Sequence, residues 1–206
     1  MEASFRKINN FLWVSNPNLE ANGSVAWWLD VSPEPVLIDC PALTPTLIQE
    51  LKALACGRSA RIILTNRDSH GCVCKLQTEL DWPVLIQEQE AYLLPGLKRL
   101  KTFSNELVTP SGMSLMWTPG PSPGSCVVHA PSPSNVLFCG RLLIPVADNY
   151  LSAFRSRSTF HWSMQQISLR KICEWPPLKA LPLLASGVWS SRVNTPKLFA
   201  FNQWKN

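Results

Sequence analysis

Short apolar segments, each followed by turn-forming residues, are the feature that most limits what this chain can fold into. Three of them open the chain, and we predict strands for "FRKINNFLWVS", "SVAWWLDV" and "PVLIDC". A helix is then predicted to begin at Thr44, with Pro45 in its first turn, and to end at Gly57. The buried strand "RIILT", the helix "CVCKLQTEL" and the strand "PVLIQ" follow, which gives the first half a β-α-β-α-β order.

The second half of the chain consists mainly of strands joined by Pro/Ser-rich turns. "GMSLMWTP", "SCVVHA" and "NVLFCG" are typical of an antiparallel stack. "SMQQISLRKICEW" predicts a helix whose apolar stripe contains Met164, Ile167 and Ile172, and "LPLLASG" predicts a further strand. Two sheet-forming halves with interleaved helices predict an α/β (α+β) sandwich of two sheets with helices outside. We expect residues 1–206 to form a single domain.

The composition is typical of a globular protein of the cytoplasm. Hydrophobic residues make up 46% of the 206 residues, yet no apolar run reaches the roughly 18 to 20 residues that span a membrane. The start "MEASFRKINN" lacks the apolar stretch of a signal peptide, so we expect a soluble, cytoplasmic protein without a membrane partner. The seven cysteines, mostly inside apolar segments, are more typical of buried free thiols than of a disulfide framework.

One strand ends in residues that many metal-dependent hydrolases use as ligands. "RIILTNRDSHG" passes from a buried strand directly into Asn66, Asp68 and His70. Carboxylate and imidazole groups are metal donors, and an amide oxygen is a weaker one. The segment by itself therefore keeps a catalytic metal site possible, with Asp68 and His70 as the candidate catalytic residues.

Five segments occur in the order "VLIDCP", "IILTNRDSHG", "TPGPSPGSCVVHA", "VLFCGRLL" and "LLASGVW". In this order they resemble the landmarks of the metallo-β-lactamase superfamily, over roughly residues 5 to 190. The most specific match is the turn Thr-Pro-Gly-x-x-Pro-Gly-Ser. The resemblance implies an αββα sandwich with a two-metal site on loops at one edge, and a structural role for Asp39.

The resemblance also implies which positions would hold the metal ligands, and none of them keeps the residue type of the family. The seven positions in this chain are Asn66, Asp68, His70, Gly71, Pro121, Arg141 and Val188. Zinc needs three or four N, S or carboxylate donors, whereas Gly71, Pro121 and Val188 offer no side-chain donor. We therefore interpret the chain as a degenerate member of the superfamily that lacks the metal-ligand motif.

Arg141 stands where the family has its bridging aspartate. A guanidinium 4 Å from a divalent ion would repel it by about 8 kcal/mol at an effective dielectric of 20. We therefore predict that the protein has no metal cofactor, and that Arg141 forms an ion pair with Asp68 that replaces the metal structurally. The alternative is one zinc, iron or manganese ion held by Asp68 and His70.

Two functions of different classes follow. The first is a non-catalytic binding or scaffold protein, a pseudoenzyme that binds a small anionic ligand through Asn66, His70 and Arg141, or a protein partner through a tryptophan-rich surface. The second is a metal-dependent hydrolase with a reduced, single-metal site on Asp68 and His70. We favour the first and leave the second open.

Tryptophan is frequent in this chain, with nine residues. Trp27 and Trp28 are adjacent on a predicted strand and must face opposite sides of its sheet. Four more lie in the C-terminal part, where exposed aromatic side chains would mark an interaction surface. These four are Trp162, Trp175, Trp189 and Trp204.

Other groups of residues carry weaker signals. "HGCVC" brings together His70, Cys72 and Cys74, but without a second distant pair a zinc site or a Cys-His nucleophile is disfavoured. His129 and His161 are expected to be structural or surface residues. Nucleic-acid binding is disfavoured because the basic runs lack interleaved aromatic residues. These runs contain Lys98, Arg99, Lys101, Arg155 and Arg157.

Overall fold

The structure is a computed structural model that describes residues 3–31, 33–131 and 133–205. Its first half forms a seven-stranded sheet whose spatial order follows the chain. Strands β1 to β4 pair antiparallel, and β4 to β7 pair parallel. The strands are β1 (Phe5–Lys7), β2 (Leu12–Ser15), β3 (Trp27–Leu29), β4 (Val36–Ile38), β5 (Arg61–Ile63), β6 (Val84–Gln87) and β7 (Leu100–Phe103).

Parallel neighbours need crossover connections, and two helices supply two of the three in this sheet. Helix α1 (Leu47–Ala55) joins β4 to β5, and helix α2 (Val73–Leu80) joins β5 to β6. The third helix, α3 (Trp162–Glu174), lies in the second half of the chain. Short 3₁₀ turns occupy Leu19–Ala21, Arg67–Ser69, Glu88–Leu93, Pro176–Ala180 and Phe201–Gln203.

The second half forms a six-stranded sheet in the order β15-β14-β11-β10-β9-β8, and a small three-stranded sheet in the order β12-β13-β16. In the larger sheet β11 and β14 are parallel, and the other neighbours are antiparallel. Its strands are β8 (Glu106–Val108), β9 (Ser114–Trp117), β10 (Cys126–Ala130), β11 (Val136–Gly140), β14 (Leu183–Ser186) and β15 (Leu198–Phe199). The small sheet contains β12 (Ile144–Ala147), β13 (Tyr150–Ser152) and β16 (Trp204–Lys205).

Three apolar clusters hold four layers together. One lies between the two large sheets, one joins α1 and α2 to the first sheet, and one joins α3 to the second sheet. Trp27 belongs to the cluster between the sheets and Trp28 to the cluster under the helices. The prediction that these two side chains face opposite sides is confirmed, as is the sandwich of two sheets with helices outside.

The helices differ from the sequence prediction in two details. Helix α1 has its N-cap at Thr46 rather than at Thr44, whose hydroxyl instead lies 2.8 Å from Ser4 Oγ. In α3 the predicted apolar stripe is wrong at Ile167, which is 49% exposed. The helix instead buries two polar side chains that bind backbone carbonyls of the second half. Ser168 Oγ donates to Pro119 O (2.8 Å) and Gln165 Nε2 donates to Leu142 O (3.2 Å).

The predictions for cysteine and tryptophan need correction in part. All seven cysteines are free, but only Cys40, Cys126 and Cys139 are buried. Cys72 is partly buried, whereas Cys56, Cys74 and Cys173 are exposed, since they lie at or near helix ends. None of the four C-terminal tryptophans is classed as exposed: Trp175 is buried and Trp162, Trp189 and Trp204 are partly buried. These four side chains therefore do not form an exposed aromatic surface.

In the part of the chain that the structure describes, no helix combines the length and the apolar character needed to cross a bilayer.

Candidate functional site

The candidate site lies on the loops that follow the carboxyl ends of four strands, β4, β5, β11 and β14. Asp39 follows β4, the segment 65–70 follows β5, Arg141 follows β11 and Val188 lies just after β14. Because β4 is parallel to β5, and β11 is parallel to β14, the carboxyl ends within each pair lie at one edge of their sheet. Cys126 N donates to Thr65 O (2.8 Å), which joins the two sheets at this edge.

Asp39 ties two strand ends together. Its Oδ1 accepts a hydrogen bond from Thr65 N (2.7 Å) and its Oδ2 accepts one from Thr65 Oγ1 (2.8 Å). The residue has a φ of 63°, a left-handed conformation that aspartate tolerates better than most residues. Burial raises its pKa to about 7 although the two hydrogen bonds favour the charged form. Asp39 lies where the resemblance implied a structural aspartate.

Asn66 organises its own loop. Its Oδ1 accepts a hydrogen bond from Asp68 N (3.0 Å), and its Nδ2 donates to Thr65 Oγ1 (3.0 Å) and Ser69 Oγ (2.8 Å). The side chain is 1% exposed. All three hydrogen bonds lie within the loop, and the contact of Asn66 with a ligand stays a prediction.

His70 is half-buried, and its ring nitrogen Nε2 has no hydrogen-bond partner among the residues that the structure describes. Burial lowers its pKa to about 4, against the opposing effect of the nearby Asp68 carboxylate. The imidazole is therefore neutral at neutral pH. It is not among the residues that line the cavity described below.

Arg141 and Asp68 form an ion pair across the site, with Nε 3.2 Å from Oδ2. The Nε–H does not point at the carboxylate well enough for a hydrogen bond, so the contact is mainly Coulombic. Arg141 Nη2 also donates to Ala21 O (3.4 Å) and Ser24 Oγ (3.3 Å), which fixes the guanidinium. The side chains are 17% and 38% exposed, so solvent weakens the attraction.

A cavity of about 490 Å³ opens over this ion pair. Four of the seven positions implied by the resemblance line it: Asp68, Pro121, Arg141 and Val188. Arg157 adds a second positive charge, while Phe154 and Trp189 supply aromatic surface. The cavity therefore combines two guanidinium groups, one paired carboxylate and an apolar wall.

No protein-family model and no curated protein matches this sequence, but solved structures resemble it. A metallo-β-lactamase from Pontibacter korlensis superposes with a TM-score of 0.71 at 17% identity, covering 97% of this chain and 94% of that one. The BLEG-1 B3 metallo-beta-lactamase gives 0.68 at 21% identity, covering 92% and 95%. This chain has the metallo-β-lactamase fold. A di-iron-bound form of TTHA1623 gives 0.66 at 20% identity, covering 88% and 92%.

The donor set at this edge of the metallo-β-lactamase fold does not fit a two-metal centre. Among residues 3–31, 33–131 and 133–205, no group of three or more His, Cys, Asp or Glu side chains is placed to hold a metal ion. Asp68 already faces a guanidinium, and Pro121 and Val188 line the cavity without donor atoms. His70 is a neutral imidazole with a free nitrogen, but a single such group does not complete a coordination shell.

Sequence reasoning missed two residues around the site. Arg157, considered there only in the basic runs of the disfavoured nucleic-acid hypothesis, lines the cavity of this metallo-β-lactamase fold. Glu90 is buried, and its Oε1 accepts a hydrogen bond from Gly124 N (2.9 Å), which fixes the turn after β9. Burial raises the pKa of Glu90. In the segment "EQEAYL" no sequence pattern distinguishes Glu90 from a surface glutamate.

Proposed function

We propose that this metallo-β-lactamase-fold protein is a non-catalytic binding protein that takes a small anionic ligand in the cavity over the Asp68–Arg141 pair. The observation that carries the proposal is the position of Arg141. It occupies the place that the resemblance gives to a bridging metal ligand, it faces Asp68, and it lines the cavity.

The electrostatics support the loss of a hydrolytic metal site. A guanidinium about 4 Å from a divalent ion costs about 8 kcal/mol at an effective dielectric of 20. A structural zinc binds with an apparent free energy of only about 10 to 16 kcal/mol in peptides at neutral pH. The Asp68 carboxylate, which would have to supply an oxygen ligand, already has Arg141 as its counter-ion.

The lining residues support an anionic ligand with an apolar portion. Arg141 and Arg157 bring two positive charges against the single negative charge of Asp68. Guanidinium groups bind carboxylates and phosphates through charge-assisted hydrogen bonds. Phe154 and Trp189 offer an apolar wall, and a volume of about 490 Å³ is in the range of small-molecule sites. In this proposal Arg157, rather than Asn66 and His70, joins Arg141 as a polar contact of the ligand.

Metal content tests the non-catalytic part of the proposal. The protein is purified without chelator or affinity tag, and zinc, iron and manganese are measured by elemental analysis. We expect far less than one metal ion per chain. Stoichiometric metal that is lost in Asp68→Ala would contradict the proposal and support the single-metal hydrolase on Asp68 and His70.

Thermal-shift measurements test the ligand. The probes are inorganic phosphate, citrate and aromatic phosphate monoesters. A compound that binds the folded state raises the melting temperature by mass action, so we expect a rise for the wild type with at least one aromatic phosphate. Arg141→Ala should lose this rise, and Lys171→Ala, on the exposed side of α3, should keep it. No shift for any probe would contradict the ligand and favour a protein partner.

A further inference from the structure

Four parallel strands of the first sheet form another cavity at their amino ends, on the edge opposite to the loop of Asp68. Because β4 to β7 are parallel, their first residues lie at the same edge. Backbone hydrogen bonds fix these strand starts: Arg61 N donates to Pro35 O (2.9 Å) and Val84 N donates to Arg99 O (3.0 Å). The cavity has a volume of about 340 Å³. The residues that line it lie at or just before the strand starts and are Glu34, Ser59, Arg61, Pro83, Lys98, Arg99, Leu100 and Lys101.

Positive charge dominates this basic cavity. Its lining contains one carboxylate, that of Glu34, and four cationic side chains. These are Arg61, Lys98, Arg99 and Lys101. In the described part of the chain, Lys98 and Lys101 form no ion pair, and both residues are exposed. The lining therefore has an excess of three positive charges, two of them on these lysines.

Carboxylates hold both guanidinium groups of the basic cavity in place. The side chain of Arg61 is only 9% exposed and donates to Glu34 twice, from Nε to Oε2 and from Nη2 to Oε1, each at 2.9 Å. Arg99 Nη1 donates to Asp81 Oδ2 (3.0 Å) and to the carbonyl oxygen of Asp81. A guanidinium has five N–H donors, so each arginine keeps donors beyond those that its carboxylate uses. Because these groups are already fixed, a ligand orders few side chains when it binds.

We propose that the basic cavity binds a diphosphate group, either as free pyrophosphate or as part of a nucleoside diphosphate. Guanidinium and ammonium groups bind phosphate oxygens through charge-assisted hydrogen bonds. A phosphate monoester carries a charge of about −1.5 to −2 near neutral pH, which is less than the excess of three positive charges in the lining. The Asp81 carboxylate offsets little of this excess, because it is 82% exposed to solvent. A second phosphate group brings the charge of the ligand closer to that of the cavity.

The surroundings of Lys98 leave space for a larger ligand. Lys98 also lines a neighbouring cavity of about 240 Å³, together with Gln77, Thr78 and Asp81. A diphosphate ester bound at Lys98 therefore has room for its organic group beside the basic cavity.

Isothermal titration calorimetry of the full chain at low ionic strength tests the proposal with pyrophosphate, inorganic phosphate and adenosine diphosphate. We expect pyrophosphate to bind at least about 10-fold more tightly than inorganic phosphate, because it reaches more of the cationic groups. Changing Lys98→Ala and Lys101→Ala together should weaken pyrophosphate binding at least about 10-fold, since hydrogen bonds to charged groups are the strong ones. Lys171→Ala removes an exposed charge on α3 and should keep the wild-type affinity.

The adenosine diphosphate titration distinguishes the two sources of the diphosphate group. Tighter binding than that of pyrophosphate identifies a nucleoside diphosphate as the ligand, and weaker binding identifies free pyrophosphate. In either case the affinity should fall as salt is added, because the lysines are exposed and salt screens their charges.

Three outcomes would overturn the proposal: no binding of pyrophosphate, equal affinity for inorganic phosphate and pyrophosphate, or an unchanged pyrophosphate affinity in the double lysine variant. The lysines would then only protect β7, an edge strand of its sheet, against pairing with another chain. Pyrophosphate binding that is lost in Arg141→Ala but kept in the double lysine variant would place the ligand over the Asp68–Arg141 pair instead. The basic cavity lies on the opposite edge of the sheet and does not depend on the proposed anionic ligand.

Discussion

At the scale of single residues, the loop after β5 shows how similar side chains take different roles. Asn66 and His70 are four residues apart, and both were expected to contact a ligand. Asn66 instead makes three hydrogen bonds within its own loop, and the neutral ring of His70 is half-buried. Residue type made both competent as ligands, but their hydrogen bonds and burial decide what they do.

The protonation of His70 gives a prediction for stability against pH. Its pKa is about 4 in the folded protein and about 6.5 when unfolded, so the unfolded chain binds more protons between these values. Its contribution to stability is therefore complete above about pH 6.5 and is lost as the pH falls towards 4. Allowing for partial exposure of the ring, the loss is about 1 to 2 kcal/mol.

His70→Gln removes this titration, so urea unfolding at pH 7 and at pH 4.5 should show a smaller decrease for the variant than for the wild type. His161→Gln, at the exposed N-cap of α3, serves as the control histidine change. An equal effect of His70→Gln at both pH values would contradict a depressed pKa.

At the scale of elements, α3 is positioned by the Thr-Pro-Gly turn, which contacts the start of the helix. His161 N donates to Gly120 O (3.0 Å) and Phe160 N donates to Pro121 O (3.2 Å), so the start of the helix is bound to the Thr-Pro-Gly turn. The sequence predicted the extent of this helix to within one residue. Its buried face was not predictable from apolar residues alone, because Gln165 and Ser168 are buried through bonds to distant carbonyls.

Gly120 is the point of closest approach between this turn and α3. A Cβ atom there would lie 2.4 Å from Gln165 Cα, and the residue has a φ of 142°. We expect Gly120→Ala to lower the free energy of unfolding by about 2 to 4 kcal/mol, from backbone strain and from overpacking. Gly96→Ala is the matched control, because Gly96 has a φ of 87° but no atom of the described part of the chain within 4 Å of the added Cβ.

The control should show only the strain of a positive φ, about 1 kcal/mol. Chemical denaturation of both variants measures the difference. Similar losses for Gly120→Ala and Gly96→Ala would mean that the contact with α3 is not tight.

At the scale of the whole molecule, the Asp68–Arg141 pair connects the two halves. Asp68 follows β5 of the first sheet, and Arg141 follows β11 of the second. In a fold that this chain shares with a di-iron and a β-lactamase structure, this pair lies at the edge where loops of both halves meet. It links segments 73 residues apart in the chain, counted from residue 68 to residue 141.

A double-mutant cycle with Asp68→Asn and Arg141→Gln measures this connection. Because both side chains are partly exposed, we expect a favourable coupling energy of only about 0.5 to 1 kcal/mol in the free energy of unfolding. Salt at about 1 M should reduce it further by screening. A coupling energy of zero at low salt would show that the two charges do not stabilise the association of the halves.

The sequence by itself determined the two-sheet sandwich with helices outside and its three helices, because these have local causes in apolar periodicity and turn residues. It did not predict the short strands β7, β8, β12, β13, β15 and β16. The resemblance to the metallo-β-lactamase superfamily further implied that Asp39, Asp68 and Arg141 lie on loops at one edge. Only the tertiary structure decided which side chains face the cavity: Arg157 enters it, whereas Asn66 and His70 do not. The physical reason is that side-chain direction and burial depend on contacts between segments far apart in the chain, which no local pattern encodes.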